Sequence, residues 1–313
     1  RLAVARGIDL YLLNRGETAR PAPDGAHVLR GDARDRASMK RALGVLAFDA
    51  VVDWIAFTPD HVEADIELFQ GRTGQCIFIS SASAYQKPLS ALPITESTPL
   101  HNPFWDYSRA KMACEERLVR AYRDTGFPIT IVRPSHTYDR TKVPLLGHWT
   151  DVDRMRKGKP VVVHGDGTSL WVLTHHDDFA KGFVGLLGNP HALGQAFHIT
   201  SDEVLTWNQI YEIVAHAAGV DPHIVHVASE TIAEFDAEVG ASLLGDKAHS
   251  VILDNTKIKR LVPDFCATIP FSQGAREIVA WHDADPARQV VDEGVNRLID
   301  DLIAAHGALR PRT

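Results

Sequence analysis

The sequence predicts an α/β protein, in which a doubly wound parallel sheet in residues 1–145 is followed by a smaller mixed α/β lobe in residues 146–313. Short apolar runs alternate with amphipathic helical stretches in the first half, which is typical of parallel strands covered by helices on both faces. This alternation weakens after about residue 144. A segment of about 169–200 is expected to return to the first domain.

The chain opens on a short helical stretch. Residues 1–7 predict the last turns of a helix that a glycine ends, and residues 8–13 predict a buried strand. Because domains seldom begin inside a helix, we expect a further strand, its loop and the start of this helix to precede Arg1.

The remaining elements follow from apolar periodicity and from glycine, proline and capping residues. In the first domain, strands are predicted at residues 27–30, 49–55, 75–80 and 129–133, and helices at about 35–46, 60–70 and 107–125. In the second half, a strand is predicted at 160–163, and helices at 150–158, 177–187, 207–218, 230–238 and 286–305. Asp60 and Thr206 are expected N-caps. Arg154, Arg156 and Lys157 could face an anionic substrate, but a solvated helix face is the preferred expectation.

Composition narrows the class of protein. The 313 residues carry a formal net charge of −7 without runs of like charge, which argues against a general nucleic-acid or anionic-membrane surface. No run approaches the roughly 20 apolar residues of a membrane span. Cys76, Cys114 and Cys266 lie far apart, which predicts reduced thiols and a cytoplasmic location. The 16 histidines show no recurring ligand spacing, so no metal site is predicted.

A tyrosine and a lysine four residues apart form the first candidate for chemistry. Tyr107 and Lys111 share one face of the predicted helix. A lysine ammonium beside a phenol favours the phenolate, so the pKa of Tyr107 is expected to fall below its usual value of about 10. Such a phenol can exchange a proton with a hydroxyl or carbonyl oxygen near neutral pH. The spacing alone is a weak signal, because many helices carry it by chance.

Serines follow the predicted strand at 75–80, where ligands bind in parallel sheets. Ser81 lies 26 residues before Tyr107, and the intervening loop can bring both into one cleft. A hydroxyl, a phenol and an ammonium around one carbon–oxygen bond can move a proton and stabilise an oxyanion. Ser80 and Ser83 also suit turn formation.

Several short motifs occur in a fixed order along the chain. They are IFISSASAY at 77–85, YSRAK at 107–111, VRPSHTY at 132–138, GDG at 165–167 followed by THHDDFA at 174–180, FHIT at 197–200 and DNTKIKRL at 254–261. In this order they resemble the extended short-chain dehydrogenase/reductases, and within them the NAD-dependent epimerase/dehydratase family. The resemblance covers nearly the whole chain and implies a Rossmann domain for a dinucleotide with a substrate-binding lobe.

The resemblance implies roles for individual residues. Tyr107 is expected to be the catalytic acid and base, Lys111 to lower its pKa and hold the nicotinamide ribose, and Ser81 to polarise the substrate oxygen. The expected cofactor contacts beyond Lys111 are Ala56, Phe57, Pro134 and Ser135. Asp178 is expected to cap a helix, and His175 to be packed and hydrogen-bonded rather than to bind a metal.

Residues after the first two strands bear on the choice of cofactor. Asn14 and Arg15 stand where an acid would bind the ribose of NAD, and an arginine suits the 2′-phosphate of NADP. The sequence therefore favours NADP slightly over NAD. Asp32 can accept a hydrogen bond from an adenine amino group or cap the next helix, and both alternatives stay open.

Two departures from the family pattern affect the expected ligands. The glycine-rich phosphate loop, Gly-x-x-Gly-x-x-Gly, has its expected place before Arg1. Trp171 stands where nucleotide-sugar members carry an arginine that pairs with the substrate diphosphate, which favours a smaller polyol, free sugar derivative or aromatic carbonyl compound. The candidates for lining the substrate pocket are Ser83, Trp105, Tyr138 and Trp171.

The predicted function is hydride transfer at a hydroxyl or carbonyl carbon of a sugar-like substrate by an NAD(P)-dependent oxidoreductase or epimerase. A simple NADPH-dependent carbonyl reductase is the alternative among enzymes. An RNA-binding protein is the alternative from another class, because chloroplast stem-loop RNA-binding proteins share this fold. The resemblance also implies a homodimer through the helices near 60–70 and 107–125.

Overall fold

The computed structural model describes residues 1–17 and 21–308. The helices are α1 (Leu2–Ala5), α2 (Arg36–Leu43), α3 (Pro59–Phe69), α4 (Asp106–Thr125), α5 (Trp149–Arg156), α6 (His176–Leu186), α7 (Trp207–Ala217), α8 (Ser229–Phe235), α9 (Ala237–Ser242), α10 (Thr256–Leu261), α11 (Phe271–Asp283) and α12 (Glu293–Ala308). The strands are β1 (Tyr11–Asn14), β2 (His27–Arg30), β3 (Val51–Asp53), β4 (Cys76–Ile79), β5 (Ile129–Val132), β6 (His136–Tyr138), β7 (Val161–His164), β8 (Leu170–Trp171), β9 (Leu173–His175), β10 (Ala196–Phe197), β11 (Leu205–Thr206) and β12 (Ile224–Val227).

A parallel sheet in the order β10-β5-β4-β3 forms the centre of the first half. Successive side chains of β4 point to opposite faces, so Cys76 and Phe78 join one apolar core while Ile77 and Ile79 join another. Helices cover both faces, which explains why this strand is apolar throughout. The predicted doubly wound α/β sheet is confirmed.

A second parallel pair, β1 and β2, lies in the same half of the chain. The predicted strand at 27–30 is found as β2, and Gly7 ends α1 with a left-handed backbone as expected. The predicted strand at 8–13 was wrong in its bounds and burial. It begins only at Tyr11, because Ile8 still hydrogen-bonds back to α1 and Asp9 forms an ion pair with His27. All four residues of the strand are half-buried.

Some predicted helix ends differ from the observed ones. Asp60 lies in the first turn of α3, where its charge favours the helix dipole, but Thr58 occupies the N-cap position. The predicted helix at 230–238 is broken at Asp236, whose carboxylate caps the start of α9. The helix predicted at 286–305 begins only at Glu293, and residues 286–288 form a separate turn of 3-10 helix. Thr206 caps α7 in a capping box, as expected.

The second half contains mixed strand pairs with helices around them. β7 and β12 are parallel, whereas β8 and β11 are antiparallel. α7 packs against α11, a helix that apolar periodicity had not revealed. Arg154 was wrongly expected on a solvated face. It is buried in α5, and its guanidinium lies 2.7 Å from the carboxylate of Asp300 on α12.

The segment around residues 169–200 joins the two halves of the chain. β9 pairs with β6, and β10 extends the central sheet beside β5. Phe179 and Phe183 of α6 pack in the core on one face of that sheet. A cleft therefore opens beside the carboxyl ends of the central strands. Within the described residues, no helix is long and apolar enough to cross a membrane.

Candidate active site

A cleft of about 580 Å³ lies beside the carboxyl ends of the central strands. Ser81, Pro134 and Ser135 follow β4 and β5 and line one side of it, together with Tyr107 of α4. The opposite side comes from the second half of the chain, including Trp171. The cleft lies where parallel sheets usually bind ligands.

A chain of hydroxyl groups fixes the turn after β4. The Ser81 Oγ accepts a hydrogen bond from the backbone N–H of Ser83 at 3.1 Å, and the two hydroxyl oxygens lie 2.9 Å apart. The Ser108 hydroxyl donates to the Ser83 Oγ at 2.8 Å. Ser83 was expected to line the substrate pocket, and it is among the residues that line the cleft. Its side chain is nevertheless buried, and its hydrogen bonds also orient Ser81.

Tyr107 stands at the start of α4 and faces Ser81. The nearby Ser81 hydroxyl acts to lower the pKa of the phenol, because it stabilises the phenolate. Burial of the phenol has the larger effect, so the pKa of Tyr107 is raised above its usual value. The expected net lowering of this pKa is therefore not found, because burial outweighs the influences that favour the phenolate. The Lys111 ammonium lies 5.9 Å from the centre of the phenol ring.

Lys111 is held at the carboxyl ends of two strands. Its ammonium donates to the carbonyl oxygens of Ala56 at 2.6 Å and Ile79 at 2.8 Å. The side chain is buried, with the Phe57 ring centre 4.7 Å from the ammonium. Burial lowers the pKa of Lys111 to about 8, because the charged form loses solvation. The lysine is therefore a fixed donor that can change charge near neutral pH.

A pair of carboxyl groups beside this lysine was missed in the sequence. The Asp53 carboxylate accepts hydrogen bonds from the backbone N–H groups of Ile55 and Ala56, which fixes the turn after β3. Asp65 of α3 is buried next to it, and burial together with the Asp53 charge raises the pKa of Asp65 well above its usual value. Asp65 is an acidic residue among the apolar residues on the buried face of α3. Its position in that pattern could have identified this carboxyl pair from the sequence.

Residues after β1 and β2 make local contacts. Asn14 accepts a hydrogen bond from the guanidinium of Arg30. Arg15 is exposed and forms an ion pair with Glu17 at 3.1 Å. Asp32 accepts the backbone N–H of Arg34, and Asp35 rather than Asp32 caps α2. The helix-cap alternative for Asp32 is therefore wrong.

The aromatic candidates separate into cleft and core residues. Trp105 lines the cleft and packs against Tyr107, with ring centres 4.8 Å apart. Trp171 also lines it, and its indole N–H donates to the His136 Nδ1 at 3.3 Å. Tyr138 was expected in the pocket but is a core residue, because Phe271 and His175 pack against its ring.

The expectations for residues 175 and 178 divide in the same way. His175 is buried and bonded to Glu277, as expected, and its other ring nitrogen accepts the Asp177 backbone N–H. This histidine, not Asp178, occupies the N-cap of α6. The Asp178 carboxylate instead accepts backbone N–H groups of the segment 268–269. His176 and Asp177 lie near His175 in a group with potential metal-ligand atoms, but both nitrogens of His175 already have partners.

The residues near Lys111 fit the nicotinamide ribose of a dinucleotide. The Lys111 ammonium has three N–H groups, and among the described residues two of them reach carbonyl acceptors. One donor therefore remains for a sugar hydroxyl. Ala56 is fixed beside the Lys111 ammonium, because its carbonyl oxygen accepts from that ammonium and its backbone N–H donates to the Asp53 carboxylate. Pro134 supplies an apolar edge of the adjoining cleft, which suits a planar ring.

Comparison with known proteins points to one family. Residues 66–200 match the NAD dependent epimerase/dehydratase family. The 2′-dehydrokanamycin reductase of Streptomyces kanamyceticus is 27% identical over 82% of this chain and 72% of its own length. The chloroplast stem-loop binding protein of 41 kDa b of Arabidopsis thaliana is 28% identical over 63% of this chain, and the match spans 50% of that protein.

A solved structure shows the same fold. The UDP-glucose 4-epimerase of Thermotoga maritima, solved with UDP-glucose, superposes with a TM-score of 0.71 over 90% of this chain and 93% of its own, at 18% identity. The match to the family, its reductase relative and the shared fold agree with the order of motifs along the sequence. Residues 66–200 are therefore an NAD-dependent epimerase/dehydratase domain, in a chain that has the Rossmann fold of solved epimerases.

Proposed function

We propose that this enzyme exchanges a hydride between NAD(P) and the hydroxyl-bearing or carbonyl carbon of a sugar-like substrate, with Tyr107, Lys111 and Ser81 as its catalytic residues. The observation that carries the proposal is that Ser81 and Tyr107 line the same open cleft, beside the buried ammonium of Lys111. The relative named as a reductase supports the reductive direction, in which a carbonyl becomes a hydroxyl.

NAD(P), when bound, supplies the hydride acceptor or donor. In reduction, Tyr107 donates its proton to the carbonyl oxygen of the substrate, and Ser81 donates a hydrogen bond that stabilises the developing negative charge. In oxidation, the phenolate takes that proton back from the hydroxyl. The raised pKa of Tyr107 keeps the phenol protonated in the free protein, which suits the reductive direction. Lys111 would hold the ribose of the bound cofactor, and its charge would favour the phenolate after proton transfer.

The direct test is nicotinamide absorbance with the full-length protein. We expect consumption of NADPH or NADH with members of a panel of keto-sugars, inosose-type polyol ketones and aromatic aldehydes. Turnover of keto-sugars would favour a sugar enzyme, whereas turnover restricted to aromatic aldehydes would favour the simple carbonyl reductase. Absence of any turnover by a protein that binds NAD(P)H would contradict the proposal.

We further propose NADP as the preferred cofactor, with Asn14, Arg15 and Asp32 near the adenosine and Ala56, Phe57, Pro134 and Ser135 near the ribose and nicotinamide. Replacing Arg15 by alanine is expected to raise the KM for NADPH about tenfold, because one charge-assisted hydrogen bond to the 2′-phosphate is lost. The KM for NADH should not change. The exposed Arg41→Ala is the control, and an unchanged preference in Arg15→Ala would contradict the role.

We propose a two-lobed homodimer. One lobe is residues 1–145, and the other is residues 146–313, of which about 169–200 return to the first lobe. The pairing of β10 with β5 supports this return. Subunits would pair through α3 and α4, and a single-chain mass in light scattering would contradict this.

A cytoplasmic location is supported by three unpaired cysteines and would be tested by cell fractionation.

RNA binding remains the second candidate, because one relative is named as a stem-loop binding protein. The net charge of −7 weighs against it. Saturable retention of a stem-loop RNA that weakens with salt would support RNA binding, and its absence would remove this candidate.

A further inference from the structure

We propose that Lys142 and Lys247 form an oxyanion-binding subsite of the cleft, so that the substrate carries a carboxylate or phosphate group close to its reacting ring. This inference rests on the proposed function, because it names the substrate class of the same cleft. Neither lysine was singled out from the sequence. They come from separate segments of the chain and meet only in the folded protein.

The charges around the cleft do not balance. Lys142 and Lys247 both line it, and Asp246 is the one carboxylate among its lining residues. The carboxylate of Asp246 already lies 3.7 Å from the ammonium of Lys87, a side chain without solvent exposure. Within residues 1–17 and 21–308, neither Lys142 nor Lys247 forms an ion pair with a carboxylate within 4.0 Å. Two positive charges are therefore available to an anionic ligand.

The position of Lys247 places this charge near the reaction. Its ammonium lies 5.5 Å from the centre of the Trp105 indole, and the Tyr107 ring packs against the same indole. Lys247 is only partly exposed, whereas Lys142 is exposed where it lines the cleft. A small ligand can therefore contact both Tyr107 and Lys247, because only the indole of Trp105 lies between them. The acidic group should therefore lie on the reacting ring or next to it.

His136 adds a neutral donor to the same wall. Its Nδ1 accepts the Trp171 N–H, so the neutral ring carries its proton on Nε2. Burial and the charges of Lys247 and Lys142 lower the pKa of His136 well below its usual value. Burial also lowers the pKa of Lys247; the adjacent Asp246 charge opposes this effect, and the Lys142 charge adds to it. A bound carboxylate or phosphate would relieve this repulsion, because it lies between like charges.

A matched panel of sugars tests the charge requirement without turnover. Glucuronate, glucose 6-phosphate, glucose and glucosamine share one ring and differ in charge. We expect titration calorimetry of the full-length protein to give at least tenfold tighter binding of one acidic sugar than of glucose, and weaker binding of glucosamine. Glucuronate and glucose 6-phosphate separate the carboxylate from the phosphate as the source. Equal affinity for all four sugars, or no binding of either acidic sugar at millimolar concentration, would overturn the proposal.

Substitutions connect the effect to these side chains. Lys247→Gln and Lys142→Gln should each weaken binding of the preferred acidic sugar about tenfold and leave glucose unaffected, whereas the exposed Lys159→Gln should change neither. An unchanged affinity in both cleft variants would overturn the subsite. The proposed hydride transfer would survive that result, because it depends on Tyr107. Loss of turnover with intact sugar binding in Tyr107→Phe would separate the two.

Discussion

Replacing Tyr107 by phenylalanine is expected to lower turnover by about 10²- to 10⁴-fold, the usual contribution of a positioned general acid. The change removes only the phenolic oxygen. The ring keeps its contacts with Trp105 and Phe57, so the thermal midpoint should change little. The measurement is the rate of NAD(P)H consumption at saturating substrate, with the melting temperature recorded for the same preparation.

The same helix offers a matched control for this substitution. Tyr122 is partly exposed near the end of α4, and Tyr122→Phe should retain full turnover. In the reductive direction, the rate of the unchanged protein should fall as pH rises through about 8, because Lys111 then loses the charge that favours the phenolate. The residual rate of Tyr107→Phe should lack this pH dependence. Normal turnover in Tyr107→Phe would contradict the catalytic role.

The sequence predicted the central sheet well because its strands are buried on both faces. A strand such as β4 must then be apolar at every position, and such a run stands out without knowledge of its neighbours. β1 was placed less well, because its side chains are only half-buried and polar contacts such as that of Asp9 with His27 decide where pairing begins. The ends of such a strand depend on single side-chain contacts, and the pattern of apolar residues in the sequence does not show them.

The catalytic candidates were predictable only in part, for a related reason. Ser81, Tyr107 and Lys111 lie in motifs whose spacing is local, and the fold brings Ser81 and Tyr107 into one cleft. Burial of Ser83 and Tyr138 could not be predicted, because it depends on Ser108 and on Phe271 of the unpredicted α11. Lys142 and Lys247 were missed since no local pattern relates segments about a hundred residues apart.

A buried ion pair behind the cleft gives the largest expected effect on stability. Glu115 of α4 accepts from the Arg133 guanidinium through both carboxylate oxygens, at 3.0 Å from Nε and 2.6 Å from Nη2. The guanidinium also donates to the Tyr85 hydroxyl, whose oxygen lies 2.5 Å from the His198 Nε2. Both charged side chains are buried. Burial alone would lower the pKa of Arg133, but the Glu115 carboxylate and the other partners outweigh it and the pKa is raised. The pair joins α4 to the end of β5.

Replacing Glu115 by alanine is expected to lower the free energy of unfolding by about 3–5 kcal/mol, because it leaves the buried charge of Arg133 without its partner. Such a loss is a large part of the roughly 5–15 kcal/mol that stabilises a typical folded protein. The neighbouring Glu116→Ala is the matched control. Glu116 pairs with Arg120 on the exposed face of the same helix, so its loss should cost less than about 1 kcal/mol.

Urea unfolding followed by fluorescence measures both changes, with the midpoints compared at equal slopes. Glu115→Gln covers the case in which Glu115→Ala does not fold, since its amide oxygen still accepts from Arg133 while the charge is lost; it should fall between Glu116→Ala and Glu115→Ala. The double variant Glu115→Leu with Arg133→Met removes both charges and should recover part of the stability lost in Glu115→Ala. Equal midpoints for Glu115→Ala and Glu116→Ala would mean that this buried pair does not hold α4, and with it Tyr107, against the sheet.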